Sequence, residues 1–161
     1  MQLFIITERA AFFRTEVTMK FNHGCWLLKE GMGCFSPAQV YYATIKEKEV
    51  SLCAPTHPVN DRGATLGGAN LTIRITSPMP DVIRVQTDHY MGTCQKSPVF
   101  DLNLGNPQTL QVEDNEDTLT VTSGSLSLEI GKKRWYMRYI RDGRVITQSA
   151  PRDLAMMKAN W

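Results

Sequence analysis

The residues of this chain best suited to chemistry are its carboxylates, three histidines, four cysteines and the aromatic pairs Tyr41-Tyr42 and Trp135-Tyr136. The stretch EDNED, residues 113–117, gathers several carboxylates and could hold a calcium ion, which takes roughly six to eight oxygens. It lies between two strand-like segments, and Asp and Asn are turn formers, so a solvated turn is the preferred reading and no metal is assigned. His89 stands beside Tyr90 and could act as a general acid opposite a carboxylate base. No second histidine supports that, and a histidine at a strand end packing on its aromatic neighbour accounts for it. His23 and His57 lack the i, i+4 spacing that would bring two imidazoles onto one metal. Cys94, in GTCQKSP, has neither a neighbouring histidine nor a helix N-terminus to lower its pKa, so it is not read as a nucleophile. Cys25, Cys34, Cys53 and Cys94 contain no C-x-x-C pair, which suits neither zinc nor a dense disulfide framework and points to thiols in a reducing compartment. Tyr41-Tyr42 and Trp135-Tyr136 are adjacent aromatic pairs in strand-like segments. Within a strand, neighbours point to opposite faces, so one ring of each pair is expected outside the core. Such a ring could stack a sugar, or it could pack on a partner, the preferred reading because large exposed rings usually mark an interface.

The elements that position these residues read as strands. In NLTIRITS, residues 70–77, Leu71, Ile73 and Ile75 alternate with Thr72, Arg74 and Thr76, and DVIRVQTD repeats the pattern after a proline-rich SPMPD loop. TLTVTSGSLSLEI predicts a hairpin turning at Ser123-Gly124, and RWYMRYIRDGRVITQS a second one turning at Asp142-Gly143. Residues 40–46 and 49–52 add two more strands. HPVNDRGATLGGAN concentrates Gly, Asn and Pro and predicts a flexible loop without a core of its own. Helix is expected only in RDLAMMKA near the C-terminus. Short antiparallel strands at hairpin spacing, without alternating helices, predict an all-β sandwich with no repeat and no domain boundary.

The totals bound the function. With 161 residues, 42% of them hydrophobic and 21% charged, the chain has the composition of one globular domain. A net charge of +2 without a long basic run gives no footprint for nucleic acid or an anionic membrane. The apolar run near residue 3 is too short for a signal peptide and is broken by Glu8 and Arg9, so the default location is cytoplasmic.

Three blocks in order, MKFNHGCWLLKEGMGC, IRVQTDHYMG and GSLSLEIGKKRWYMRYIRDGRVITQS, resemble the N-terminal β-sandwich of family 31 glycoside hydrolases, most closely the α-xylosidase branch. In the first block the resemblance rests on Met19, Lys20, Phe21, Gly24, Trp26, Leu27 and Gly31. It implies a galactose mutarotase-like sandwich, incomplete at its C-terminus, over residues 19–161. It also implies that Met19 is the natural start and residues 1–18 an upstream extension. The family's two catalytic carboxyl groups, which in a retaining enzyme stand about 5 Å apart, are aspartates of a following (β/α)8 barrel. None of Asp61, Asp81, Asp88, Asp101, Asp114, Asp117, Asp142 and Asp153 lies in a block like the family's Lys-x-Asp nucleophile motif, so no catalytic residue and no cofactor is assigned here.

The resemblance therefore implies a non-catalytic module of an α-xylosidase- or α-glucosidase-type enzyme, with the barrel and an α-linked sugar as its partners. A stand-alone carbohydrate-binding module using Tyr41, Tyr42, Trp135 or Tyr136 is the alternative, and a sugar epimerase built on His89 a distant third. A sandwich lacking strands would expose edges that pair with other chains, so self-association is expected.

Overall fold

The computed structural model describes residues 27–90, 106–149 and 152–159, which fall into two compact units. One is a two-stranded antiparallel ladder of β1 (Met32–Phe35) and β11 (Met156–Ala159), with Met32 opposite Ala159 and Phe35 opposite Met156. No change of composition marks this unit, because its strands come from opposite ends of the chain. One expectation changes here. The helix expected over residues 152–159 is a turn followed by β11. Arg152 and Leu154 hold positive φ values of 81° and 48°, which a right-handed helix excludes, and the ladder with β1 claims the residues that follow. Strand β1 follows a turn in which Gly31 takes φ 77°. Trp26 lies outside the described residues.

The other unit, Ser36–Ala155, is built from two antiparallel sheets. Strands β2 (Tyr42–Ile45), β3 (Glu49–Pro55), β4 (Asn70–Thr76) and β5 (Arg84–Asp88) pair in sequence order, and between β3 and β4 runs a loop with one 3₁₀ turn, Gly63–Leu66. The second sheet has the order β10-β9-β8-β7-β6, formed by β6 (Gln111–Asp114), β7 (Thr118–Ser123), β8 (Leu126–Gly131), β9 (Met137–Arg141) and β10 (Arg144–Gln148). The alternation read in the sequence is the alternation of burial. Val50, Leu52, Ile73 and Ile75 of one sheet and Leu119, Val121, Leu128 and Ile130 of the other are fully buried in one cluster. Each such side chain stabilises by about 1.5–3 kcal/mol when removed from water.

Both hairpin turns form where the glycines predict them. Between β7 and β8 only the first loop residue, Gly124, has positive φ (60°), the pattern of a II′ turn. Between β9 and β10 both Asp142 (51°) and Gly143 (71°) do, the I′ pattern. Gly124 is also required by contact, because a Cβ there would strike the Asp81 carboxylate.

Polar contacts knit the sheets at the same end. The buried Ser77 hydroxyl donates to the Met79 carbonyl at 2.8 Å, so across the 2.6 Å contact between them the Ser123 hydroxyl donates to Ser77. Nearby, the Ser125 amide (2.5 Å) and hydroxyl (2.9 Å) donate to Asp81 Oδ1. Asp81 itself holds φ 62°, a conformation that Asp tolerates better than most residues.

Candidate functional site

The two aromatic pairs meet opposite fates. Trp135 precedes β9 and is only 6% exposed; it packs in the core cluster, and its indole Nε1 donates to Asp153 Oδ1 at 3.0 Å. Tyr136 is half-buried, with the Arg138 guanidinium 4.6 Å from its ring centroid. Gly131 lies against the same ring closely enough that a Cβ there would collide with it. Burial, with the Glu129 carboxylate nearby, raises the Tyr136 phenol pKa. Trp135 is thus closed in the core, and Tyr136 has the Arg138 guanidinium over its ring.

Tyr41 and Tyr42, by contrast, are both exposed, at 53% and 58%. The expectation of one ring in and one out fails because the regular ladder begins only at Tyr42. There the register sets Tyr42 opposite Cys53 on the outer face and Ala43 opposite Leu52 on the inner one. Tyr41 lies before the strand, tied by its amide to the Cys53 carbonyl at 2.8 Å. The two rings meet edge to face, with centroids 6.1 Å apart.

These rings and the β3–β4 loop line a half-open pocket of about 210 Å³. Cys53 and Asn70 stand at its base on neighbouring strands, with the Cys53 thiol donating to Asn70 Oδ1 at 3.2 Å. Pro55, Val59 and Ala69 give it apolar walls. Cys53 beside it raises the Tyr42 phenol pKa, so this hydroxyl stays a neutral donor through the physiological range.

The loop is more structured than its composition suggests. Thr56 closes it, its amide (3.0 Å) and hydroxyl (2.9 Å) both donating to the Ala69 carbonyl. Inside, Asp61 Oδ1 accepts from the Ala64 amide at 2.9 Å, and the Thr65 hydroxyl donates to the Arg62 carbonyl at 2.7 Å. His57 organises the rest. Its Nε2 lies 2.6 Å from the Ala64 carbonyl, which can only accept, so Nε2 carries the hydrogen. The other ring nitrogen, Nδ1, is buried and has no partner among the described residues. Gly68 permits the arrangement, since a Cβ there would stand 2.6 Å from Nδ1. The sequence marked His57 only as a residue preceding a proline; the glycine pair Gly67-Gly68 was the available signal that a ring lies against backbone.

The remaining candidates are in structural use. Asp88 is paired with Arg74 at 2.8 Å, Asp114 with Lys132 at 2.8 Å and Asp117 with Lys133 at 2.7 Å. Glu116 and Asp117 of the acidic stretch lie in the β6–β7 turn, and their pairing raises the Lys133 pKa. Hydrogen bonds from Ser125 hold the Asp81 carboxyl below its ordinary pKa, the opposite of what a general acid needs. His89 Nδ1 lies 3.2 Å from the Asn70 carbonyl, and Tyr90 is exposed, so the expected packing of the two is replaced by a backbone contact. Cys34 and Cys53 are free thiols, and no group of three metal-ligating side chains occurs among the described residues. His23, Cys25, Cys94 and Asp101 lie outside them. No described helix is long and apolar enough to cross a membrane.

Comparison with known proteins fixes the lineage. No family model matches the chain. It is 30% identical over 138 residues to the α-xylosidase XylQ of Lactiplantibacillus pentosus, covering 85% of this chain and 18% of that protein. It is 31% identical over 112 residues to an α-xylosidase of Emericella nidulans, covering 70% of this chain and 14% of that one. The chain belongs to the family 31 glycoside hydrolases. This family 31 chain thus spans less than a fifth of the curated relatives it matches. Its fold is similar to part of the uncharacterized protein lmo2446 of Listeria monocytogenes EGD-e, solved in complex with α-D-glucose, β-D-glucose, magnesium and calcium. There the TM-score is 0.59 at 16% identity, over 78% of this chain and 11% of that one. A second structure of the same protein gives a TM-score of 0.57 at 17% identity.

Proposed function

We propose that the chain is a non-catalytic β-sandwich module of an α-xylosidase- or α-glucosidase-type hydrolase, over residues 19–161, with residues 1–18 an upstream extension. The observation that carries this reading is the employment of its aspartates. Asp61, Asp81, Asp88, Asp114, Asp117 and Asp153 each cap, bridge or brace the sandwich, and Asp142 forms a turn. A retaining hydrolase needs two carboxyls free to face one glycosidic bond. Chemistry then belongs to a barrel in the rest of the enzyme, and this module supports that barrel. Strand β10 suits such a role: it is an edge strand exposed along its length, with Val145 and Ile146 uncovered. The same edge supports self-association of the isolated chain. Free thiols at Cys34 and Cys53 support a reducing, cytoplasmic setting.

The test is to read the gene past the codon for Trp161 and to express both lengths. The longer product is expected to hydrolyse p-nitrophenyl α-D-xyloside or α-D-glucoside, and the 161-residue chain to leave both intact. Turnover by the 161-residue chain alone would overturn the reading, as would a downstream frame with no barrel.

A further inference from the structure

We infer that the pocket between Tyr41, Tyr42 and the His57 loop binds a neutral sugar ring. Its chemistry selects the ligand. None of its described lining residues is Lys, Arg, Asp or Glu, so nothing there balances a phosphate or a carboxylate. Two tyrosine rings set edge to face form an apolar corner suited to the C–H face of a pyranose. Opposite that corner are hydrogen-bonding atoms of both senses. The exposed Asn70 amide has its Oδ1 held by the Cys53 thiol and offers its nitrogen as a donor, and the Thr65 hydroxyl, which donates to the Arg62 carbonyl, keeps a lone pair to accept. A flat aromatic ligand would satisfy the rings and leave both polar atoms bare; a ring bearing hydroxyls satisfies both kinds of surface. The volume, about 210 Å³, is enough for one such ring. The pocket is framed by β2, β3 and the loop that returns to β4, so the fold fixes its base and the loop network fixes its wall.

The pocket's chemistry defines a neutral pyranose; the choice of an α-xyloside as first probe rests on the hydrolase reading. NMR titration of the 161-residue chain with methyl α-D-xylopyranoside, methyl α-D-glucopyranoside and methyl β-D-galactopyranoside tests it, with xylitol and glucose 6-phosphate as controls. At least one pyranoside is expected to saturate with a Kd of about 1–10 mM, the range for a ligand of this size, shifting the amides of Tyr42, Asn70 and Gly68. Tyr42→Ala is expected to weaken binding about tenfold, the scale of a stacked ring, and its exposure predicts an unchanged far-UV spectrum. No saturation below about 100 mM overturns the proposal, as does equal binding of xylitol or full binding by Tyr42→Ala. Binding of the galactoside alone would keep the pocket and detach it from an α-xyloside role. Failure of the pocket leaves the module reading intact, because that reading stands or falls with the downstream reading frame.

Discussion

The seam between the two sheets and the pocket on the outer face of one of them use the same kinds of residue to opposite ends. In the seam the donors find acceptors within the chain: Trp135 on Asp153, Ser123 on Ser77, Ser125 on Asp81. In the pocket the tyrosines are open, and the Asn70 amide and Thr65 hydroxyl belong to exposed residues. Substitutions in the seam should therefore cost stability, and substitutions in the pocket should not.

Trp135→Ala gives the sharpest contrast. It removes the largest side chain of the core cluster and leaves Asp153 without its donor, an expected loss of about 3–5 kcal/mol in urea unfolding. Trp135→Phe keeps most of the volume and loses the hydrogen bond, so it should fall between; a wild-type midpoint for the alanine variant would dissolve the distinction. Gly124→Ala comes next. A positive φ costs an alanine about 1–2 kcal/mol, and here the new methyl also meets the Asp81 carboxylate and amide. Gly143→Ala is the control, with a similar φ but nothing within 4 Å of the new Cβ, so it should lose less.

The Asp81 clasp adds a pH dependence to the seam. Its carboxyl pKa is lowered in the folded state by the bonds from Ser125, so the stability it lends is present above the ordinary carboxylate pKa. That stability is lost as pH falls below about 4, through the folded value. Asp81→Asn keeps an acceptor and tolerates the positive φ but cannot titrate. Wild type should melt above this variant at pH 7, and the gap should close in acid. A gap that stays constant from neutral pH to about pH 3 would remove the clasp from the account.

The seam was largely legible in the sequence and the pocket was not. Alternation at Leu71, Ile73 and Ile75 and again at Leu126, Leu128 and Ile130 carried the strands, and Ser123-Gly124 and Asp142-Gly143 carried the turns, because burial period and positive φ are local properties. Adjacency could not tell Trp135 from Tyr41. One ring is buried by a sheet that closes over it; the other lies just ahead of a ladder whose first residue only the register reveals. The C-terminal segment misled for a related reason: its helix-forming composition yields to pairing with a strand more than a hundred residues away. His57 was visible as a letter, but its role depends on Gly68 and Ala64 reaching it from across the loop.

The smallest expected effect is the most informative about the pocket. Tyr41→Ala removes a ring that is more than half exposed and packs chiefly on Tyr42, so its cost should stay within about 0.5 kcal/mol. If the pocket exists to bind, this variant should melt like wild type and still lose affinity for the pyranoside, because the edge-to-face contact that orients Tyr42 is gone. A destabilisation as large as that of Gly124→Ala would mean instead that the tyrosines brace the edge strand β2. The open corner would then be a packing feature, and the contrast between seam and pocket would reduce to one of degree.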